Sequence, residues 1–200
     1  MQFRLDLRGS TFIGLLGIAV FSLCWLCAVL IDSSWTFGTN MVSDLGVSDT
    51  YARYFFNYGS IIAGVLLCAY GLLSTYYSKP VFERISYLLI SLAGAFLIGV
   101  GSFTENTGWP HNLSAYSLFI LAALSAIIRM FIDLKHRDFV PAAITFLLIV
   151  STVAVAYVET FPFLEAFAII ILLIWLTMTC LRTIIANMGT VKQLNSVQRG

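Results

Sequence analysis

The sequence has little charge for its length. Asp, Glu, Lys and Arg make up 10% of its 200 residues, whereas soluble domains have about 25%. Sixty per cent of the residues are hydrophobic, and the mean hydropathy is +0.92. A water-soluble fold of this size could not cover so much apolar surface with so few polar side chains. Most of its surface must therefore face lipid.

Two further shortages exclude classes of function. The chain has only two histidines, His111 and His136, so a zinc hydrolase built on three histidines is excluded. The net charge of +1 provides no basic face for nucleic acid, and no nucleic-acid partner is expected. The four cysteines lie in apolar runs. Cys24 and Cys27 form a C-x-x-C pair, but a redox pair needs an exposed thiolate, so we interpret them as small buried hydrophobic side chains.

Six apolar runs are each long enough to cross a bilayer, which needs about 20 such residues. The sequence therefore predicts an all-α bundle of six transmembrane helices, forming one integral membrane domain over residues 1–200. The predicted spans are 11–31, 54–78, 85–104, 113–134, 139–158 and 161–181. We interpret the first as a retained helix, because its apolar stretch is longer than the roughly 7–15 residues of a signal sequence.

The basic residues predict how the bundle is oriented. With the N-terminus inside, ten of the eleven Lys and Arg residues fall in inner segments, and only Arg53 falls in an outer loop. Basic residues concentrate on the cytoplasmic side of membrane proteins. We therefore predict a multi-pass protein of the cell membrane with both termini in the cytoplasm (N-in/C-in). Membrane lipid is the expected partner, and a homo- or hetero-oligomer within the membrane is left open.

Spacing along the helices predicts two kinds of contact. Small residues four apart let helices approach closely, so close helix contacts are expected at such positions in the second and third spans. The positions are Ser60 with Gly64, and Ala95 with Gly99. Arg129 and Asp133 are also four residues apart on one helix face, and we predict that they pair.

Polar residues that could carry chemistry cluster on the predicted outer side. The first outer loop, residues 32–53, is the longest connection and is expected to fold back over the bundle, with a short helical turn for which Ser43 is the N-cap. The candidate catalytic residues are Asp44, Glu105 and His111. The candidate ligand-binding residues are Asn40, Ser43, Asn57, Asn112 and Glu165. Glu165 is included because an ionisable residue at membrane depth is costly and therefore a functional candidate.

This set of residues allows several interpretations. Acids beside one histidine could perform general acid–base catalysis. They could equally bind a divalent ion through carboxylate oxygens and one imidazole. Short outer loops are also commonly acidic and simply solvated. No spacing matches a specific metal motif, so no metal site is assigned and the cofactor is unknown.

Short motifs add a family resemblance. Ser43–Gly46 reads S-D-L-G, and Gly101, Phe103, Glu105, His111 and Asn112 form a G-x-F-x-E...H-N pattern at the end of the third span. With six spans in about 200 residues, the chain resembles a family of archaeal and bacterial membrane proteins known only as a domain of unknown function. The resemblance implies a six-helix, mainly archaeal membrane protein, and it implies no activity.

Three functions follow in order of preference. The first is an outer-face polar pocket that binds a lipid headgroup or small amphiphile, with hydrolase or transferase chemistry left open. The alternative is a non-catalytic accessory or assembly subunit of a membrane complex. A small-solute carrier is the third, because the middle of each span lacks charge and no pair of Gly- or Pro-broken helices is evident.

Overall fold

The computed structural model describes the backbone of residues 7–197 and the side chains of residue 7 and residues 9–186. Within this part, six α-helices and two short 3-10 turns are present, and no strand occurs. The helices are α1 (Leu7–Ile31), α2 (Ala52–Tyr77), α3 (Val81–Ser102), α4 (Trp109–Lys135), α5 (Phe139–Val158) and α6 (Phe161–Val197). Each contains a stretch long and apolar enough to cross a membrane. The predicted all-α, six-helix architecture is confirmed.

Helix ends differ from the predicted spans mainly where charges lie. The ends of α5 match the prediction, while α1 begins at Leu7 and α6 continues to Val197. The predicted spans stop at charged residues because charge marks the edge of the hydrocarbon. A helix does not have to end there, since its backbone hydrogen bonds continue into the polar region.

The helices form a ring in chain order. Each contacts the next in sequence, and α6 returns to contact α1. The interfaces of α2 with α1 and with α3 are the most extensive. In contrast, α5 buries only Ala142 and Thr145. Packing is therefore dense on one side of the ring and loose on the other.

Glycines bring α2 and α3 into backbone contact. A Cβ added to Gly64 would lie 2.7 Å from the carbonyl oxygen of Gly94, so neither position has room for a side chain. The prediction of Gly64 as a close-contact position is confirmed. On α3 the prediction is confirmed for Gly99, where an added Cβ would lie 2.5 Å from the hydroxyl oxygen of Ser114 of α4, and it is wrong for Ala95, which is exposed. Both faces of α3 pack against helices, and spacing alone does not say which face meets α2.

The predicted Arg129–Asp133 pair is also wrong. Asp133 instead accepts two hydrogen bonds from Arg182 of α6, from Nη1 to Oδ2 at 2.7 Å and from Nη2 to Oδ1 at 3.0 Å. Arg129 places its guanidinium over the ring of Tyr87, 5.7 Å from the centroid. A forked guanidinium that reaches across from another helix can meet both carboxylate oxygens at once, which is the strongest form of this pair. The pair links α4 to α6.

The loop between α1 and α2 folds back over one end of the bundle, as expected from its composition. Its 3-10 turn spans Ser43–Val47 and buries Leu45 completely. Val42 is the N-cap and Ser43 is the first residue of the turn, so the predicted cap was one residue too late. Trp35 donates its indole N–H to the carbonyl of Met41 at 2.7 Å, and Phe37 packs edge-on against Phe163 of α6. These contacts hold the loop against the start of α6. We call this end of the bundle, which carries connections 32–51, 103–108 and 159–160, the acidic end.

Candidate functional site

Glu165 anchors the long loop to α6. Its Oε2 accepts a hydrogen bond of 2.6 Å from the backbone N–H of Val42, and the Ser43 N–H and hydroxyl also interact with its carboxylate. Val42 itself is fully buried. A carboxylate that accepts backbone N–H groups is held in place without a basic partner. The first turn of α6 and the loop are thereby fixed to each other.

Ser43 lies between two glutamates. Its hydroxyl also donates to Oε2 of Glu105, at 3.3 Å. Glu105 in turn lies beside the carboxyl group of Asp44, whose Oδ2 accepts the backbone N–H of Met41 at 2.8 Å. A second carboxyl group so near disfavours the ionised form of Glu105.

The pKa of Glu105 is raised to about 7. Partial burial contributes most, followed by the hydrogen bond and the negative charge of Asp44. Both effects disfavour the ionised form. Because its pKa lies near neutrality, Glu105 can both accept and donate a proton at physiological pH.

His111 is held in one orientation at the first turn of α4. It is 4% exposed, and its Nδ1 lies 2.7 Å from the carbonyl oxygen of Phe103. A carbonyl only accepts, so Nδ1 carries a hydrogen and donates it. In the neutral ring, Nε2 is then the acceptor that is left to meet a ligand.

A cavity extends from these residues into the bundle. It has a volume of about 440 Å³ and lies between α4, α5 and α6. This volume is within the range of about 300–1,000 Å³ that is usual for ligand pockets. Its polar end is lined by Ser43, Glu105, His111, Asn112 and Glu165. We call these five residues, together with Asp44 behind Glu105, the acidic mouth.

Below the acidic mouth the cavity wall is almost entirely apolar. Its lining includes Phe119, Ile149, Leu164 and Leu172, and it ends near Trp175. None of the described residues in the lining is Lys or Arg. The cavity is therefore a hydrophobic slot with its charge confined to one end.

The structure brings most of the predicted site residues together, but not all. Asn57 donates from Nδ2 to the carbonyl of Gly46 at 2.9 Å, and Asn40 accepts the backbone N–H of Thr36 at 3.0 Å. Neither lines the cavity, and these hydrogen bonds stabilise the loop. Asn112 does line it, while most of its side chain is exposed. The catalytic and binding roles stay predictions.

Sequence reasoning missed the deep end of the cavity. Thr145 of α5 and Trp175 of α6 line it, and both are buried. Trp175 could have been noticed from its position, since tryptophan in membrane helices concentrates near the interface, whereas this one lies about 21 Å along α6 from its start.

The metal interpretation gains no support: within the described side chains, no group of three His, Cys, Asp or Glu residues is arranged to hold a metal ion.

The six apolar helices and their ring arrangement define a multi-pass membrane protein. The model of the family described as "Protein of unknown function (DUF998)" matches residues 15–182, and the chain belongs to this family. The resemblance inferred from the motifs is confirmed at the level of the family. No curated protein and no solved structure matches the chain.

Proposed function

We propose that this protein binds an amphiphile, with the apolar chain of the ligand in the cavity and its polar head at the acidic mouth. The observation that carries this proposal is the single cavity with carboxylates at one end and hydrocarbon side chains along the rest. Its length supports an extended ligand. Trp175 lies ten residues beyond Glu165, or about 15 Å along α6, roughly half of the 30 Å hydrocarbon layer.

Loose packing of α5 supports entry of a ligand from the membrane. Only Ala142 and Thr145 of this helix are buried, although it forms one wall of the cavity. Lipid chains surround such a helix, so a chain needs no aqueous path to reach the space beside it. The ligand is therefore drawn from the bilayer.

Charge at the acidic mouth favours one class of head. Glu105, Glu165 and Asp44 repel phosphate and carboxylate, and no Lys or Arg is present among the described lining residues. A head with ammonium or hydroxyl groups would donate hydrogen bonds to these carboxylates. We therefore propose a cationic or hydroxyl-bearing head. Nε2 of His111 would accept a further hydrogen bond.

The same residues supply what acid–base chemistry on the head would need. The Nε2 atom of His111 is not used by the bond to Phe103, and Glu105 exchanges a proton near pH 7 because of its raised pKa. Hydrolysis or group transfer at the head is thus the reaction class to assay. This extension depends on binding, which is tested first.

Binding is tested with dodecan-1-amine and dodecyl phosphate, titrated into the purified full chain in phosphatidylcholine nanodiscs. The amine should raise the melting temperature and the phosphate should not. Glu165→Gln should reduce the shift with the amine, whereas Glu159→Gln should not, because Glu159 is exposed at the same end and does not line the cavity. Equal shifts with both compounds, or with neither, would contradict the proposal.

Occupancy of the cavity is tested by filling it. Ala168→Phe places a ring in the lining and should abolish the thermal shift with the amine. Ala143→Phe is the matched control, because Ala143 is exposed on α5 and does not line the cavity. If a protein helix occupies this space instead, as an accessory subunit would require, the amine gives no shift and a stoichiometric partner co-purifies from native membranes.

The proposed orientation places the acidic end outside the cytoplasm of the cell. It is supported by the distribution of basic residues along the sequence. Ser33→Cys at the acidic end should react in intact cells with a maleimide that cannot cross membranes, and Lys79→Cys at the other end should not. Both positions are exposed. The reverse labelling pattern would overturn the orientation while leaving the amphiphile proposal intact.

A further inference from the structure

Two polar atoms at the deep end of the cavity have no hydrogen-bond partner. They are Oγ1 of Thr145 and Nε1 of Trp175, whose residues are 1% and 2% exposed. Both residues line the cavity. A buried donor without a partner costs roughly 1–3 kcal/mol. Such atoms in a ligand-sized cavity indicate a partner that is not part of the chain.

Neighbouring hydroxyls show that Thr145 is an exception. Thr152, Thr177 and Thr179 each donate to the carbonyl four residues earlier on the same helix. This local bond is the usual way for a threonine to satisfy its hydroxyl inside an apolar helix. Thr145 makes no such bond, so its hydroxyl has no partner among the described residues, beside the cavity that this residue lines.

Trp175 restricts the chemistry of the missing partner. An indole N–H only donates, so the partner must offer an acceptor. Hydrocarbon offers none. A plain alkyl chain would leave both Thr145 and Trp175 unpaired, whereas an oxygen at this depth would satisfy both.

We infer that the ligand carries a second polar group: an oxygen acceptor at the far end of its chain, bound by Trp175 Nε1 and Thr145 Oγ1. This inference rests on the proposed function, since it assumes that the head lies at the acidic mouth. The distance of about 15 Å from Glu165 to Trp175 along α6 corresponds to roughly 13 bonds at about 1.2 Å per bond of an extended chain. The ligand class is an α,ω-bifunctional amphiphile whose terminal oxygen belongs to a hydroxyl, keto or ether group.

The experiment compares two probes with the same head and chain. These are dodecan-1-amine and 12-aminododecan-1-ol, each titrated into the full chain in phosphatidylcholine nanodiscs, with empty nanodiscs as the blank. The measured quantity is the ratio of the two dissociation constants, amine over amino alcohol. Because both probes meet the same protein and bilayer, general loss of fold or of partitioning cancels in the ratio.

Replacing Thr145 and Trp175 should reverse the preference for the amino alcohol over the amine. The ratio should exceed one for the wild type, and it should fall by at least about tenfold in Thr145→Val/Trp175→Phe, where the hydroxyl is buried without a partner. Trp25→Phe is the matched control, because the Trp25 indole N–H is also buried and unpartnered but does not line the cavity. Its ratio should equal that of the wild type.

The outcomes separate the two proposals. If the amine binds and the ratio is the same within twofold in wild type and double variant, Thr145 and Trp175 donate to a bound water or to no partner. This inference is then overturned, while the proposed function stands. If neither probe binds the wild type, both proposals fall. A tenfold change in Trp25→Phe as well would also overturn the inference, because the effect would then not come from the cavity.

Discussion

The two sides of the helix ring differ in how closely their helices approach. In the most apolar stretch of α3, 50% of residues are buried, against 11% in α5. On the α1–α3 side, glycines put backbones in contact, as at Gly71, where an added Cβ would lie 2.5 Å from the backbone nitrogen of Ser91. On the α4–α6 side, a cavity lies between the helices and is lined by large side chains such as Phe119 and Trp175. The first side provides a rigid frame, and the second provides the space for a ligand.

The largest effect should come from filling the dense side. Gly71→Leu forces its side chain against the backbone of α3, which cannot move without separating the two helices. We expect a loss of about 3 kcal/mol, the upper end of ordinary overpacking. Unfolding of the purified protein in mixed micelles measures it.

Ala143→Leu is the control on the loose side, because Ala143 is exposed on α5. It should change the unfolding free energy by less than about 0.5 kcal/mol. Similar losses for the two variants would break the comparison between the two sides.

A smaller effect should follow from cutting the link between α4 and α6. Asp133→Asn removes the charge that Arg182 pairs with, and the carboxylate side chain is only 4% exposed. Since the Arg182 side chain is 27% exposed, water compensates part of the loss, and we expect about 2 kcal/mol rather than the 3–5 typical of a fully buried pair. Asp138→Asn serves as the control, because its contact with Arg182 is longer, at 3.4 Å, and its side chain is 58% exposed.

If Asp133→Asn and Asp138→Asn lower the unfolding free energy equally, the Asp133–Arg182 pair does not stabilise the loose side. The helices of that side are then held together by the membrane alone. This outcome would sharpen the contrast between the two sides.

The smallest effect concerns pH and the acidic mouth. The pKa of Glu105 is about 7 in the folded protein, against an ordinary value of 4.5. The folded state therefore binds more protons than the unfolded state between these values, and stability should fall as pH rises through about 7. Glu105→Gln cannot ionise, so it should match the wild type near pH 5 and exceed its melting temperature by about 1–3 °C at pH 8.5, a small gain because the group is only partly buried.

The groups that face Glu105 are Asp44, Ser43 and Glu165. Glu159→Gln, at an exposed position of the same end, should show no such pH-dependent difference. A melting difference for Glu105→Gln that is constant across pH would contradict the raised pKa of Glu105.

The candidate site was only partly predictable from sequence. Charge and depth selected Glu105, His111 and Glu165 because polar residues next to long apolar runs are conspicuous. The same criterion selected Asn40 and Asn57, which the fold uses to hold the loop. Polarity identifies residues that need hydrogen-bond partners but does not say whether the partner is a ligand or the backbone.

Packing between helices was less predictable. Gly64 and Gly99 were identified by their spacing, whereas Ala95, selected in the same way, is exposed. A transmembrane helix is apolar on all sides, so the periodicity that marks the buried face of a soluble helix is weak here. The pairing of Asp133 with Arg182 rather than Arg129 has the same origin, since two residues 49 positions apart meet only once the ring closes.

The sequence by itself determined the number of membrane-spanning helices and the concentration of acids at one end. These properties depend on composition along the chain: a run of about 20 apolar residues is more stable in hydrocarbon than in water whatever surrounds it. Only the tertiary structure decided that the helices form a ring with a dense side and a loose side. It alone joined the acidic mouth to an apolar cavity ending at Thr145 and Trp175. The physical reason is that a cavity depends on the sizes of side chains on three different helices. Because lipid solvates every apolar face equally, the local sequence of one helix does not indicate which face borders a cavity.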